Sequence, residues 1–204
     1  VTAAVWDSND LSQMEALIWH ALTEAVGSRK SGFRTPALAT AHDNVPGVRT
    51  VVLRRADREA LLLQCHTDAR SGKLDELRAN PEVVWHFYGS EQRVQLRIHA
   101  TATVHVDDVV VREAWAQTDM MARRCYLSMH APGSEVPEKM TGLPEHLEGK
   151  RPEQDESEAG LKNFAVIRTR VKRIHWLFLR SRGNVSARFT YDGSGAFDAA
   201  WLAP

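Results

Sequence analysis

The chain has 204 residues, 43% hydrophobic and 25% charged, a composition that fits a globular protein with room for one substantial core. Its 26 basic and 26 acidic residues cancel, so no global field draws it to nucleic acid or to an anionic membrane. No apolar run reaches the length of a membrane span, and two cysteines, Cys65 and Cys125, are too few for a disulfide framework or a zinc knuckle, so a reducing cytoplasm is the expected setting.

The first periodic segment is helical. Leu11, Met14, Leu17, Ile18, Ala21, Leu22 and Ala25 recur at helical spacing. Ser12 and Glu15 are spaced as a capping box, Asp7 to Asp10 offer earlier caps, and Gly27 is placed to end the helix. Residues 28–35 are polar and basic and read as a loop. From Pro36 to His105 the pattern turns to strands: a short run over residues 36–41, a predicted hairpin of Arg49–Ala56 with Ala60–His66, and a strand over Val83–Tyr88. Between them, Arg70-Ser71-Gly72-Lys73 opens a short helix, residues 71–79, that stops before Asn80-Pro81. The clearest strand runs from Val94 to Val106, where apolar residues alternate with Gln95, Arg97, His99, Thr101, Thr103 and His105.

Asp107-Asp108 caps a predicted helix reaching about Gln117, and a second covers residues 119–127. Residues 131–160 then carry four prolines, four glycines and eight acidic residues against three basic ones, which is expected of a mobile loop or lid. Strand signal returns over residues 163–180. There Ile167, Thr169 and Val171 alternate with basic residues until the phase slips to Ile174 and Trp176, predicting a bulge. A turn at Arg182-Gly183-Asn184 and strands at Val185–Tyr191 and residues 196–202 complete the chain. The expectation is one domain over residues 1–204, mainly β with flanking helices (the first within residues 1–27), folded as an antiparallel, Greek-key-like barrel.

The polar residues between Arg49 and Gln95 suit a phosphorylated ligand. A phosphate dianion calls for a guanidinium, an ammonium, hydroxyls and free backbone N–H groups, and Arg49, Lys73, Thr67, Ser71 and the helix start can supply them. There is no Gly-x-Gly-x-x-Gly loop for a dinucleotide pyrophosphate. Nine histidines form no His-Glu-x-x-His or other close ligand set, so no metal site is expected, and no Gly-x-Ser-x-Gly marks a nucleophile.

An Arg-led strand ending in Arg54-Arg55, a His66-Thr67 pair, Ser71-Gly72-Lys73, Asn80-Pro81 and Gln95 on the next long strand follow one another in an order that resembles the pyridoxamine 5'-phosphate oxidase family of FMN-binding split barrels. Trp176, Arg188-Phe189 and the closing Trp201-Leu202-Ala203-Pro204 extend the resemblance to the C-terminal third. It implies FMN held by Arg49, Thr50, Val51, Val52, Leu53, Arg54, His66, Thr67, Ser71, Gly72, Lys73 and Gln95. It also implies a homodimer in which Trp176 (with Leu177 competing for its place) and Arg188 reach the cofactor of the partner subunit. Arg54 is the implied contact to a small-molecule substrate; no general acid or base is implied.

Two departures stand out. Gly72 replaces a second basic residue at the phosphate, and Asn184 and Ser186 stand where true oxidases have an Arg-x-His substrate grip. The expected activity is therefore flavin redox chemistry on another substrate. A non-catalytic flavin, haem or deazaflavin binder on the same barrel is the alternative. Nucleic-acid binding through Arg93, Arg97 and the basic strand at 168–173 is disfavoured by zero net charge and few aromatics there.

Overall fold

The computed structural model describes residues 3–204. After a short 3-10 turn at Ala3–Trp6, α1 (Leu11–Gly27) begins at Asp10, whose carboxylate accepts from the Ser12 and Gln13 N–H groups. Strands β1 (Ala37–His42) and β2 (Val45–Thr50) form a hairpin about Asp43-Asn44. Both turn residues have positive φ (48° and 61°), as a tight two-residue hairpin demands. Then follow β3 (Arg55–Asp57), β4 (Leu62–Asp68), α2 (Lys73–Ala79), β5 (Glu82–Gly89) and β6 (Val94–Val106). Helices α3 (Val109–Ala116), α4 (Met120–Arg123) and α5 (Gln154–Glu158) precede β7 (Phe164–Phe178), β8 (Val185–Tyr191) and β9 (Phe197–Leu202).

The strands make one antiparallel sheet in the order β2-β1-β5-β6-β7-β4-β3, with β8 on β7 and β9 on β8. β2 and β3 stand at the two ends of the seven-strand path yet are consecutive in the chain, joined by residues 51–54. The expected hairpin of Arg49–Ala56 is therefore split. Arg49 and Thr50 pair with β1, whereas Arg54 N–H and β3 pair with β4. Between them the Val51 and Leu53 N–H groups donate to Pro36 and Arg34 carbonyls, both at 2.9 Å. An extended chain that changes partner keeps its side-chain alternation, so the sequence shows no break.

The phase slip is a bulge. His99 pairs with Arg173 and Ala100 with Val171, leaving Lys172 without a partner on β6. One core gathers α1, α2 and the inner sheet face around Trp85, Phe87, Trp176 and Phe189. A smaller cluster packs α3 on the start of β7 through Trp115, Phe164 and Val166. The predicted helix at 119–127 is α4 followed by a 3-10 turn, Arg124–Leu127. Within residues 131–160 the first half has no regular element, while the second carries a 3-10 turn, Glu145–Leu147, and α5. There Glu158 accepts from the buried Arg123 guanidinium at 2.6 Å and from the Trp115 indole at 2.9 Å.

Candidate functional site

The end of β4 and the start of α2 bring the expected phosphate ligands together. The Lys73 ammonium donates to Thr67 Oγ1 at 2.8 Å and to Ser71 Oγ at 2.7 Å. Both hydroxyl residues are buried, and Lys73 is half-buried. Burial, and then the neighbouring Arg49 guanidinium, push the Lys73 pKa below its ordinary value. The ammonium is held by hydroxyls rather than by a carboxylate, and a second cation stands near it. A phosphate would relieve both strains, so the donor set fits the terminal group of FMN.

Arg49, by contrast, is engaged. Its guanidinium donates to Glu76 Oε2 at 2.8 Å and to the Thr40 hydroxyl, which in turn donates to Glu76. The Thr40 hydrogen bond first, and Arg49 next, hold the Glu76 carboxyl below its usual range. Gly47 makes room for this pair: a Cβ there would lie 2.8 Å from Arg49 Nη2. Sequence reasoning missed Thr40 and Glu76. Their relation to Arg49 spans 9 and 27 residues and depends on β1, β2 and α2 meeting.

Helix α2 starts later than expected. The Leu74 N–H donates to Ser71 O, and those of Asp75 and Glu76 to Gly72 O, so most of the first turn is already spent on the backbone. Gly72 has helical dihedrals and open space where a side chain would project. Glycine is not required there.

Thr50, Val52 and Arg54 alternate outward from the linking segment, while Val51 and Leu53 point into the core. Arg54 lines a polar cavity of about 320 Å³ with Gln64, His66 and Arg168. His66 lies on the opposite face of β4 from Thr67. Burial, then Arg54, push its pKa down to about 3, so the ring is neutral at physiological pH. Arg168 Nε donates to Gln64 Oε1 at 3.0 Å, which turns the Gln64 amide toward His66 Nε2 at 3.3 Å. That network assigns the His66 proton to Nδ1, which is buried and has no partner among the described residues.

Gln95, Leu177 and Arg188 lie on the outer face of β6, β7 and β8: Gln95 is opposite Leu177, and Arg188 opposite His175. Trp176 faces the other way. It is 1% exposed and packs with Phe178 and Trp201. Of the two candidates for the aromatic's place, Leu177 therefore shares a face with Gln95 and Arg188. Thr67 is paired with Ala165, and twelve residues of β7 separate Ala165 from Leu177. At about 3.3 Å per residue the contour along β7 between the partners of Thr67 and of Gln95 is roughly 40 Å. Arg49, in line with Leu38, Trp85 and Ile98 across β1, β5 and β6, lies only three strands over and three residues along from Gln95. One chain brings together Arg49, Thr67, Ser71 and Lys73, and among the described residues no hydrogen bond joins Gln95 or Arg188 to them.

The architecture is a mainly antiparallel β-sheet with flanking helices and a nest of cations and hydroxyls at the β4–α2 junction. Residues 15–106 match the family model described as pyridoxamine 5'-phosphate oxidase, FMN-binding domain. A pyridoxamine 5'-phosphate oxidase-related, FMN binding protein from Nostoc punctiforme superposes with a TM-score of 0.72 at 21% identity, covering 96% of this chain and 100% of its own. PhzG from Burkholderia lata, solved in complex with tetrahydrophenazine-1-carboxylic acid, gives 0.65 at 15% identity and covers 100% and 98% of the two chains. A protein related to general stress protein 26, from Clostridium acetobutylicum, gives 0.54 at 12% identity with 86% and 96% covered. These likenesses show a shared fold. No curated protein matches the sequence. Among the described residues no helix is long and apolar enough to cross a membrane.

Proposed function

We propose that this chain is an FMN-binding split-barrel flavoprotein that works as a homodimeric oxidoreductase on a small molecule in a reducing cytoplasm. The observation that carries this is the Lys73 ammonium, partnered among the described residues by the Thr67 and Ser71 hydroxyls and standing beside Arg49. When bound, FMN supplies two-electron redox chemistry that no side chain can. The residues of this chain bind and orient: Lys73, Thr67, Ser71 and Arg49 hold the phosphate, and Arg54 and neutral His66 face a polar cavity, lined also by Arg168, Glu113 and Asp119, that can admit a substrate.

The placement of Gln95, Leu177 and Arg188 on one outer face of β6, β7 and β8 supports a dimer in which that face reaches the flavin of the partner subunit. The continuity of β2 into β3 at opposite ends of the sheet path supports closure into a barrel. The 131–160 segment, whose first half has no regular element, is the candidate lid. The alternative, a non-catalytic binder, draws on Asn184 and Ser186 in place of the Arg-x-His grip.

The deciding experiment is mass spectrometry of the ligand released by denaturing flavin-saturated protein, with the size of the native particle measured in parallel. FMN on a dimer is expected. Recovery of FAD alone, or a protein that takes up no flavin, would overturn the proposal.

A further inference from the structure

A second cavity, of about 560 Å³, lies beneath the loop that follows α4 and is distinct from the phosphate cluster: none of Arg49, Thr67, Ser71 or Lys73 lines it. Its wall is a built structure. Arg70 grips the Asp68 carboxylate with two hydrogen bonds of 2.9 and 2.7 Å and donates to the Ser128 carbonyl at 3.1 Å, which pins the loop to the end of β4. The Met129 N–H donates to Gly142 O at 2.8 Å and closes the neck. Gly142 has a φ of +74°, and a Cβ there would lie 2.8 Å from Ser128 Oγ, so the neck requires glycine.

Tyr126, Val136, Met140 and Leu143 give the cavity its apolar lining, and Val136 and Met140 are left 38% and 44% exposed. No Lys or Arg lines it. The one carboxylate is Asp68, already neutralised from behind by Arg70. We propose that this cavity is a binding site for a planar, largely apolar molecule without negative charge, a neutral or cationic aromatic heterocycle of two or three rings. The volume falls in the range of small-molecule sites. Thioether and phenol groups suit a flat ring, and flexible methionine adapts to its outline. An anion would lose its water there with no Lys or Arg on the wall to replace it, His130 being the one basic side chain that lines the cavity. The eight acidic residues of the 131–160 segment add to that bias.

Calorimetric titration of the full chain, saturated with FMN, uses three probes of one shape: acridine (neutral), 9-aminoacridine (cationic) and acridine-9-carboxylate (anionic). The first two are expected to bind one per chain and the carboxylate roughly tenfold or more weakly. Leu143→Trp should fill the cavity and abolish probe binding while the FMN titration stays as in the wild type. Met140→Lys, at an exposed position that leaves folding intact, should invert the order of the probes. Absence of probe binding, equal or tighter binding of the carboxylate, or an order unchanged by Met140→Lys would overturn the proposal. The FMN titration stands apart: a protein that takes up acridine and no FMN would sink the flavoprotein reading and leave this one.

Discussion

Arg49 already holds an anion, since the Glu76 carboxylate 2.8 Å away takes part of the guanidinium that a phosphate would need. Glu76→Gln keeps the hydrogen bond from Arg49 and removes the charge, so it should tighten FMN binding by roughly three- to tenfold, one partly screened charge interaction. Arg49→Ala and Lys73→Ala should each weaken binding by about 1.5–3 kcal/mol, tenfold to a hundredfold, the loss of one charge-assisted contact. Gly72→Arg meets no steric obstacle and adds a cation at the phosphate, so a gain of roughly threefold is expected. Fluorescence titration of FMN reads all four, and a Glu76→Gln variant that binds more weakly would show that the carboxylate orients Arg49 rather than competes for it. The pair also has a pH signature. The folded Glu76 carboxyl lies below its unfolded value, so its contribution to stability is present at neutral pH and is lost as pH falls through the folded value. The stability difference between wild type and Glu76→Gln should therefore shrink in acid and vanish once the folded carboxyl is protonated, in denaturant titrations. The cation and hydroxyl half of this site was legible in the sequence, because Thr67, Ser71 and Lys73 lie within one strand end and one helix start. The Glu76 contact was not, because a surface acid in a helix reads as solvated.

At the scale of elements, legibility followed the strength of the alternation. Val94–Val106 and Val185–Tyr191 emerged with their expected bounds because each has one buried and one polar face. The bulge at Lys172 was readable as a phase slip. Where burial pattern and hydrogen-bond partner part company, as at residues 51–54, alternation alone misassigns the pairing. The inward turn of Trp176 likewise follows from the register after the bulge. Helix α1 owes its seat to a buried polar contact that no motif announces. Glu15, 4% exposed, accepts from Tyr191 at 2.8 Å and pairs with Arg58, while the Trp19 indole donates to the same Tyr191 hydroxyl at 2.8 Å. Arg58→Ala leaves that carboxylate buried without its cation and should cost roughly 3 kcal/mol in urea unfolding. Arg58→Ala combined with Glu15→Leu should recover most of it, since apolar replacement of both partners removes the stranded charge. A double variant as unstable as the single would place the loss elsewhere.

For the whole molecule, the cationic nest makes the apoprotein the less stable form. FMN at a hundred times its dissociation constant should add about 2.7 kcal/mol, and for a domain of this size raise the melting temperature by roughly 5–10 °C. FAD should give less, because a second phosphate and a nucleoside find no Gly-rich loop. With Asn184 and Ser186 in place of the substrate grip, oxidation of pyridoxamine or pyridoxine 5'-phosphate should run roughly a hundredfold or more below that of a true oxidase, from the lost guanidinium contact. A steady-state assay of hydrogen peroxide release tests this, and ordinary turnover at micromolar substrate would show that Arg54 or the lid replaces the grip.

The place of β7 bears on how the chain is made. It pairs with β4, β6 and β8, and it is synthesised only after some fifty-odd residues have followed β6. Until residue 178 has left the ribosome, two long edges, β6 and β4, have no partner, and Ile98, Ala100 and Cys65 lack the strand that covers them. The segment recognised by family, 15–106, is thus a unit of recognition but not of folding. A truncation after Val106 is expected to aggregate through those open edges, whereas addition of a separate chain spanning residues 107–204 during refolding should rescue it as a soluble complex. Nascent chains halted before β7 should call on holdase chaperones, and release from them should coincide with the emergence of Phe178.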